Sequence, residues 1–558
     1  MHKIQQALER ITKKLFNQDI AAELTRPDEQ FGDYATNIAL QLAGKVGQPP
    51  RKIAEQLVAE LQLQLQDEIS DISIAGPGFI NFTLRDFLLI NAAAVAPEQK
   101  PTTYADKTVV AEYSDPNPFK VLHAGHLYTT VVGDAVANLL QAAGAKVHRV
   151  NFGGDVGLHV GKTMWAILQE FGGEHPEKLA TIPETERSVW LSKVYVIGNN
   201  AYDDDPEAKQ QIIHLNKKVY ELHAIDDHES PFAQIYWTTR QWSYDAFDTF
   251  YNRLHTKFEK YYPESTTTAI GLQTVREQLA AGVYQESNGA VVFKGEPFGL
   301  HTRVFINSEG LATYEAKDVG LIMLKWRDYK FDMSLIITAN EQQEYMAVVL
   351  KSIEQFAPEL AQRSVHLTHG IVKMPGAVKM SSRKGNILRA TDILDAATAA
   401  AQKITGDKND NTVLAAVKYA FLRQRIGGDI IYNPDESVSL DGNSGPYLQY
   451  AHARACSILQ KVIDSEGDIA KELESDERSL ARKISEYPEV VQKAINDMMP
   501  HYVCTYLYEL AQAFNRFYEH NRVVGSDRQA TRRLLVQMYA DVLKDGLTLL
   551  NIPAPVSL

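Results

Sequence analysis

The sequence predicts a multidomain α/β protein, with a parallel-sheet domain between a small α+β N-terminal domain and an all-α C-terminal bundle. Three observations favour this fold class. The 558 residues exceed what one hydrophobic core supports, so about three or four domains are expected. Short apolar runs alternate with amphipathic helical patterns from Thr108 onward. Beyond about Asn411 only helical periodicity remains.

The N-terminal domain is predicted over residues 1–100. A first helix is indicated by apolar residues at helical spacing, and a second begins at Pro49-Pro50. Two apolar runs flank the turn at residues 76–78, which is typical of two joined strands. The apolar face of the first helix consists of Ile4, Leu8, Ile11 and Leu15.

The middle domain is predicted over residues 101–410. An apolar strand at 109–113, an amphipathic helix ending at 140 and a second strand at 147–152 form a β-α-β unit. Further buried strands are predicted at 335–339 and 365–372. This rhythm is typical of a Rossmann-like nucleotide-binding domain, in which ligands lie at the carboxyl ends of the strands.

Residues 160–290, approximately, are interpreted as a mostly helical insertion whose aromatic residues form its own core. The glycine-rich stretch at 153–157 fits a phosphate or ribose contact, and it fits a plain tight turn equally well. Asn288-Gly289 predicts a hairpin, and the turn at 308–310 predicts a second one.

The C-terminal bundle is predicted over residues 411–558 from long stretches of apolar helical spacing. Its basic residues, Arg454 and Arg532 among them, fit either an RNA-binding face or an ordinary solvated surface. Tyr447 and Tyr450 fit either base stacking or packing.

Composition narrows the possible functions. A formal charge of −13 argues against indiscriminate nucleic-acid binding but is compatible with a specific RNA ligand. Cys456 and Cys504 are the only cysteines, which argues against a disulfide framework and excludes a cysteine-rich structural zinc site. Apolar runs of membrane-spanning length and a signal-peptide pattern are absent from the sequence, so a cytoplasmic protein without a membrane partner is expected.

His123-Ala124-Gly125-His126 lies between the first strand and the following helix. A helix N-terminus presents unpaired N–H groups and the positive end of its dipole, which attract phosphate. Gly125 leaves room for a flat ligand to approach the backbone, and Asn117 and Lys120 add polar and cationic groups just before it.

A basic loop follows about 255 residues later, after the last predicted parallel strand. Its cations would neutralise the charge that develops when an α-phosphate is attacked and pyrophosphate leaves. A basic loop alone is usually only solvated, but the two motifs in this order are far more specific than either one. The loop consists of Lys379, Met380, Ser381, Ser382, Arg383 and Lys384.

The two motifs resemble the signature motifs of class I aminoacyl-tRNA synthetases, and the string SDPNPFKVLHAGHLYTTVVGDAVANLL resembles the arginyl-tRNA synthetase family specifically. Four other stretches share this resemblance, so it covers nearly the whole chain. They are QFGDYATNIALQLA, AGPGFINF, TYEAKDVG and GNSGPYLQYAHAR.

The resemblance implies an arginine–tRNA ligase that uses ATP, with Mg²⁺ as its counter-ion and no protein-caged metal, to form arginyl-adenylate and charge tRNA(Arg). It further implies that the N-terminal domain binds the tRNA elbow and the bundle binds the anticodon. A monomer is expected. The rival interpretations are another synthetase or adenylyltransferase of the same superfold and a catalytically silent RNA-binding paralogue.

The family's arginine-binding positions carry over residue by residue. Glu112 corresponds to the acid on the α-ammonium side, and Asn117 lines the amino acid. Tyr314 and Asp318, one helical turn apart, correspond to the pair that binds the guanidinium. Gln342 corresponds to a glutamine contact, with Gln343 as the alternative.

The ATP site is implied in the same way. His123, Gly125 and His126, with Met380, Ser381 and Ser382, would bind ATP. His123, His126, Lys120, Lys379, Arg383 and Lys384 would stabilise the transition state. Ser382 replaces a lysine that is usual in class I loops, and Lys120 resembles the lysine that compensates for it. The HIGH-like motif runs through Pro116, Asn117, Pro118, Phe119, Lys120, Val121, Leu122, His123, Ala124, Gly125 and His126.

Overall fold

The structure is a computed structural model that describes residues 2–375, 388–406, 409–462 and 467–557. The basic loop from Lys379 to Lys384 lies outside the described residues.

The N-terminal domain packs four helices around a three-stranded antiparallel sheet whose central strand covers residues 79–84. Ile4, Leu8 and Ile11 are buried on one face of the first helix, as predicted, while Leu15 lies at its edge. Its elements are α1 (His2–Phe16), β1 (Tyr34–Thr36), α2 (Ile38–Val46), α3 (Pro50–Gln64), β2 (Ile69–Ala75), β3 (Phe79–Leu84) and α4 (Asp86–Ala94).

The middle part of the chain alternates strands and helices. Its elements are β4 (Thr108–Glu112), α5 (Ala124–Ala142), β5 (Lys146–Gly153), α6 (Leu158–Phe171), α7 (Arg187–Asp204), α8 (Pro206–Ala224), α9 (Pro231–Arg253), β6 (Lys260–Pro263), α10 (Glu264–Ala280), β7 (Gln285–Ser287), β8 (Ala290–Phe293), β9 (Arg303–Ile306), α11 (Tyr314–Tyr329), β10 (Met333–Ala339), α12 (Gln343–Glu354), α13 (Pro358–Arg363), β11 (Ser364–His369) and β12 (Val372–Lys373).

Five of these strands form one parallel sheet of order β11-β10-β4-β5-β6. If the five strands are numbered in chain order and the sheet is read from β6 to β11, the order is 3-2-1-4-5, the Rossmann arrangement. The direction of winding reverses between β4 and β10. Alternate residues of β4 face opposite layers, since Val109 and Ala111 pack with α5 whereas Val110 packs with α11 and α12. The carboxyl ends of β4 and β10 therefore frame the crevice in which ligands of this fold bind.

Two features differ from the sequence prediction. Strand β6 lies inside the stretch interpreted as an insertion, because its four residues, KYYP, are too short and polar to show as an apolar run. The predicted hairpin at Asn288-Gly289, in contrast, is confirmed: it joins β7 and β8, and both turn residues have positive φ. The second predicted hairpin is only an isolated bridge between Ile306 and Ala312, since β9 pairs with β8.

The remaining chain is a helical bundle with one two-residue strand that the sequence did not predict. Arg532 is not a solvent-facing RNA candidate, because its guanidinium is buried against Glu474 (2.7 Å) and Glu477 (2.9 Å). The elements are α14 (Ala390–Thr405), α15 (Asp410–Leu422), β13 (Ile430–Ile431), α16 (Pro434–Ser437), α17 (Gly445–Lys461), α18 (Ser475–Ser485), α19 (Tyr487–Asp497), α20 (His501–His520) and α21 (Gln529–Leu549).

Candidate active site

A cavity of about 500 Å³ opens at the point where the winding of the parallel sheet reverses. The end of β4, the start of α5, the first turns of α10 and α11 and the loop after β10 supply its walls. It brings together the predicted residues Glu112, Asn117, His123, Gly125, His126, Tyr314, Asp318 and Gln342. Gln343 starts α12 and does not belong to the lining.

The two histidines of HAGH cap the helix they begin. His123 is the N-cap of α5, and its Nδ1 accepts a hydrogen bond from the Gly125 backbone N–H at 3.1 Å. In return, Nδ1 of His126 accepts from the His123 N–H at 3.1 Å, and the two rings stack with centroids 3.7 Å apart. A Cβ on Gly125 would lie 2.9 Å from the His123 ring. Glycine is therefore needed for the histidine pair itself, besides leaving the cavity open.

This capping fixes the protonation pattern of both rings. Burial and the charge of Lys120 lower the pKa of His123 to about 4. Burial, His123 and Lys120 lower the pKa of His126 well below its ordinary value. A neutral imidazole whose Nδ1 accepts a hydrogen bond carries its proton on Nε2. Both rings thus offer an Nε2–H donor at neutral pH.

Lys120 belongs to an adjoining cavity of about 540 Å³, on the other side of His123. Its ammonium lies 5.5 Å from the ring centroid of Tyr195 on α7, and burial lowers the pKa of Lys120. The turn before it is held by α9, because the Phe119 N–H donates to Ser243 Oγ at 3.0 Å. The insertion therefore positions the HAGH segment.

Residues 388–390, directly after the basic loop, pair with residues 122–124. The Ala124 N–H donates to the Leu388 carbonyl at 2.8 Å, and the Ala390 N–H donates to the Leu122 carbonyl at 2.9 Å. Arg389 lines the adjoining cavity together with Lys120. The described flank of the second motif thus lies against the first.

The opposite end of the main cavity is acidic. Glu112 on β4 and Lys325 on α11 form a buried ion pair, and Glu264 pairs with Lys317 at 2.6 Å. Asp318 accepts a hydrogen bond from the Tyr345 hydroxyl. Burial, assisted by the charge of Glu112 and opposed by that hydrogen bond, raises the pKa of Asp318 to about 8. This end therefore favours cationic groups.

The glycine-rich turn at 153–157 is a packing junction that holds two walls of the cavity. A Cβ on Gly153 would lie 2.4 Å from the Pro116 carbonyl oxygen. The Gly154 N–H donates to Asn117 Oδ1 at 2.7 Å. The buried Asp155 carboxylate accepts the Ser265 N–H at 2.9 Å and so caps α10, whose first residue is Glu264. Among the described contacts this turn holds two walls of the cavity, and Gly154 also lines it, so the packing role is observed while a phosphate or ribose contact stays a prediction.

Comparison with known families identifies the chain. The family model "tRNA synthetases class I (R), catalytic domain" matches residues 89–437, which is more than half of the chain. The chain belongs to the arginyl-tRNA synthetase family. The arginyl-tRNA synthetase N-terminal domain matches residues 1–84, and the DALR anticodon-binding domain matches residues 448–558. The protein is thus an aminoacyl-tRNA ligase that activates arginine and charges tRNA.

Curated relatives agree over most of their length. The arginine–tRNA ligase of Flavobacterium psychrophilum is 31% identical over 87% of this chain and 84% of its own. That of Erwinia tasmaniensis is 30% identical over 94% and 93%. The solved Thermus thermophilus arginyl-tRNA synthetase has the same fold, with a TM-score of 0.80 at 24% identity over 100% of both chains. The Plasmodium falciparum enzyme gives 0.79 at 21%, over 100% of this chain and 99% of its own.

Sequence reasoning missed several residues of this synthetase cavity. Asp115 and Lys317 lie within the strings that carry the family resemblance, without an assigned role, and the others belong to no motif because they reach the cavity only through tertiary packing. The close approach of α10 and α11 brings Glu264 and Lys317 together. A Cβ on Gly271 would lie only 2.0 Å from the Ala316 carbonyl oxygen, so glycine permits this approach. The missed residues are Asp115, Glu264, Arg303 and Tyr345 in the lining and Lys317 and Lys325 behind it.

Within the described residues, no helix combines the length and apolarity required to cross a bilayer. Over the same ranges, no three His, Cys, Asp or Glu side chains are grouped in a way that could hold a metal ion.

Proposed function

We propose that the cavity orders the two small substrates by charge, with arginine at the acidic end and the phosphates of ATP at the HAGH end. The observation that carries this proposal is the contrast between neutral Nε2–H donors at one end and buried carboxylates at the other. A single cleft with these two ends orients the arginine carboxylate toward the α-phosphate.

At the acidic end, Asp318 and Tyr314 bind the guanidinium. They lie one turn apart on α11 and both line the cavity. Gln342 adds a polar contact from the loop after β10, and Glu112 lies on the α-ammonium side. The oxygen of Asn117 is engaged by Gly154, so its amide N–H groups remain to donate to the arginine carboxylate.

At the HAGH end, His123 and His126 donate their Nε2–H groups to phosphate oxygens, and Gly125 keeps the backbone approachable. Neither ring acts as a base, because the arginine carboxylate is already a competent nucleophile. That carboxylate attacks the α-phosphorus, the bond to the β-phosphate oxygen breaks, and pyrophosphate leaves. Lys120 stabilises the negative charge that develops in this step.

The basic loop acts at the same phosphates. Lys379, Arg383 and Lys384 supply charge, and Met380, Ser381 and Ser382 contact the nucleotide. The pairing of residues 388–390 with residues 122–124 supports this assignment. Mg²⁺ enters with ATP and neutralises its polyphosphate.

In the second step, a hydroxyl of the terminal tRNA ribose attacks the arginyl carbonyl and AMP leaves. The domains at residues 1–100 and 411–558 bind the tRNA elbow and anticodon, respectively. The proposed enzyme is a monomer. Cys456 and Cys504 are free thiols, in keeping with the cytoplasm.

ATP–pyrophosphate exchange with each of the amino acids, with and without tRNA, tests this function. Exchange that requires arginine and tRNA is the expected result. Exchange with none of the amino acids under either condition would refute it.

A further inference from the structure

Asp115 lies at the acidic end of the cavity, in the turn between β4 and the HAGH segment. Its Oδ1 accepts the Phe152 backbone N–H at 2.8 Å. Within the described residues, its Oδ2 has no hydrogen-bond or ion-pair partner. Ser114 and Asp115 both adopt positive φ, 75° and 48°, in a turn that contains no glycine. Such strain is characteristic of functional sites, where surrounding contacts hold the backbone in place.

The carboxylates around Asp115 outnumber the cations that pair with them. Glu112, Asp115 and Asp318 interact electrostatically, and all three line the cavity. The nearby buried lysine, Lys325, is bound to Glu112, and Lys317 is bound to Glu264. Asp115 and Asp318 are therefore the carboxylates of this cluster that have no cationic partner among the described residues.

Arginine brings two cations to this cavity, the guanidinium and the α-ammonium. With the guanidinium on Asp318, the α-ammonium balances the charge of Asp115. Burial and the charge of Glu112 raise the pKa of Asp115 well above its ordinary value, and the opposing charge of Lys325 does not offset this rise. An ammonium supplies that stabilisation at the free oxygen.

We propose that Asp115 is a specificity-determining residue that binds the α-ammonium of arginine, while Lys325 is a positioning residue that neutralises and orients Glu112. This inference rests on the proposed placement of arginine and sharpens it. Glu112 then contributes a hydrogen-bond acceptor to the α-ammonium side, and Asp115 contributes the net charge.

The test compares ligands that lack one cation each, as competitive inhibitors of arginine in ATP–pyrophosphate exchange with tRNA. 5-Guanidinopentanoic acid lacks the α-ammonium, and norleucine lacks the guanidinium. Asp115→Asn preserves shape and the acceptor for Phe152. We expect it to reduce the preference for arginine over 5-guanidinopentanoic acid by about 10- to 30-fold. The preference for arginine over norleucine should change less than about threefold.

The matched variant is the double substitution Glu112→Gln with Lys325→Met, which removes the ion pair without leaving either charge alone. We expect it to reduce the preference for arginine over 5-guanidinopentanoic acid by less than about fivefold. Because each preference is a ratio within one variant, partial loss of folded enzyme does not affect it. Lys325→Arg should retain most of the activity, whereas Lys325→Met alone should not.

Two results would overturn the inference. One is an unchanged preference in Asp115→Asn, and the other is a larger loss in the Glu112/Lys325 variant than in Asp115→Asn. Failure of the underlying function is distinguishable, since wild-type protein would then show no arginine-dependent exchange at all.

Discussion

The two ends of the active-site cleft have opposite electrostatic character. At the HAGH end, His123 and His126 are held neutral and donate hydrogen bonds, and Lys120 supplies positive charge. At the other end, Asp318 is buried and Asp115 is half-buried, and neither has a matching cation among the described residues. The first end suits an anion and the second a cation, so a zwitterionic amino acid and a polyphosphate each fit in one orientation.

The largest effect that the comparison predicts is at the acidic end. Asp318→Asn keeps the shape of the side chain but removes the charge that meets the guanidinium. Breaking a buried charged pair costs about 3–5 kcal/mol, so kcat/KM for arginine should fall by roughly 10² to 5 × 10³-fold. The KM for ATP should stay within about threefold, because the change lies at the far end of the cleft. Steady-state aminoacylation measures both.

Glu354→Gln, on the exposed end of α12, is the control and should leave both constants unchanged. A loss of ATP affinity in Asp318→Asn as large as its loss of arginine affinity would remove the distinction between the two ends.

The next effect is at the phosphate end. Lys120→Ala should lower the rate of adenylate formation by about 10² to 10³-fold, because it removes charge stabilisation of the transition state. Arginine binding should change by less than about threefold. Single-turnover adenylate formation and equilibrium arginine binding measure the two quantities, with Lys107→Ala, an exposed residue just before β4, as the control. Equal losses in both quantities would contradict this role.

A smaller effect separates hydrogen-bond donation from helix capping at His126. Asn at this position can replace Nδ1 as the cap acceptor, whereas Gln can replace Nε2 as the donor. Since the ring acts as an Nε2–H donor, His126→Gln should retain about tenfold more adenylate-forming activity than His126→Asn. Thermal unfolding should rank the variants the other way, because only Asn restores the cap. Equal activity in the two variants would show that hydrogen-bond donation from Nε2 of His126 does not promote adenylate formation.

The sequence predicted the parts of the site that have local signatures. The β-α-β pattern and the helix start at HAGH are carried by apolar spacing and by short motifs, and both are confirmed in the structure. The sequence predicted that Gly125 leaves room for a ligand to approach the backbone. The structure shows that a larger residue at this position would also collide with the His123 ring. The ambiguous turn at 153–157 required the structure, because its partners, Asn117 and Ser265, are distant in sequence.

Long-range pairing explains the remainder. Lys325 belongs to no motif in the sequence, and only the packing of α11 on β4 places it against Glu112. The sequence predicted a surface position for Arg532, and only the packing of α21 against the segment at 474–477 buries its guanidinium. Strand β6 was missed because backbone pairing with β5, and not apolar composition, makes it a strand.

The most direct test of the charge contrast is the number of protons exchanged when each substrate binds. Asp318, with a pKa of about 8, is mostly protonated at pH 7.5. A bound guanidinium favours the ionised form of Asp318 and lowers its pKa, and the α-ammonium does the same for Asp115, so arginine binding should release protons and weaken as the pH falls below 8. His123, with a pKa of about 4, is already neutral, so Mg²⁺–ATP binding should release almost none. Titration calorimetry at pH 7.5 in two buffers of different ionisation enthalpy gives both numbers. Proton release with arginine and none with ATP is the predicted result, and arginine binding without proton release would contradict the account.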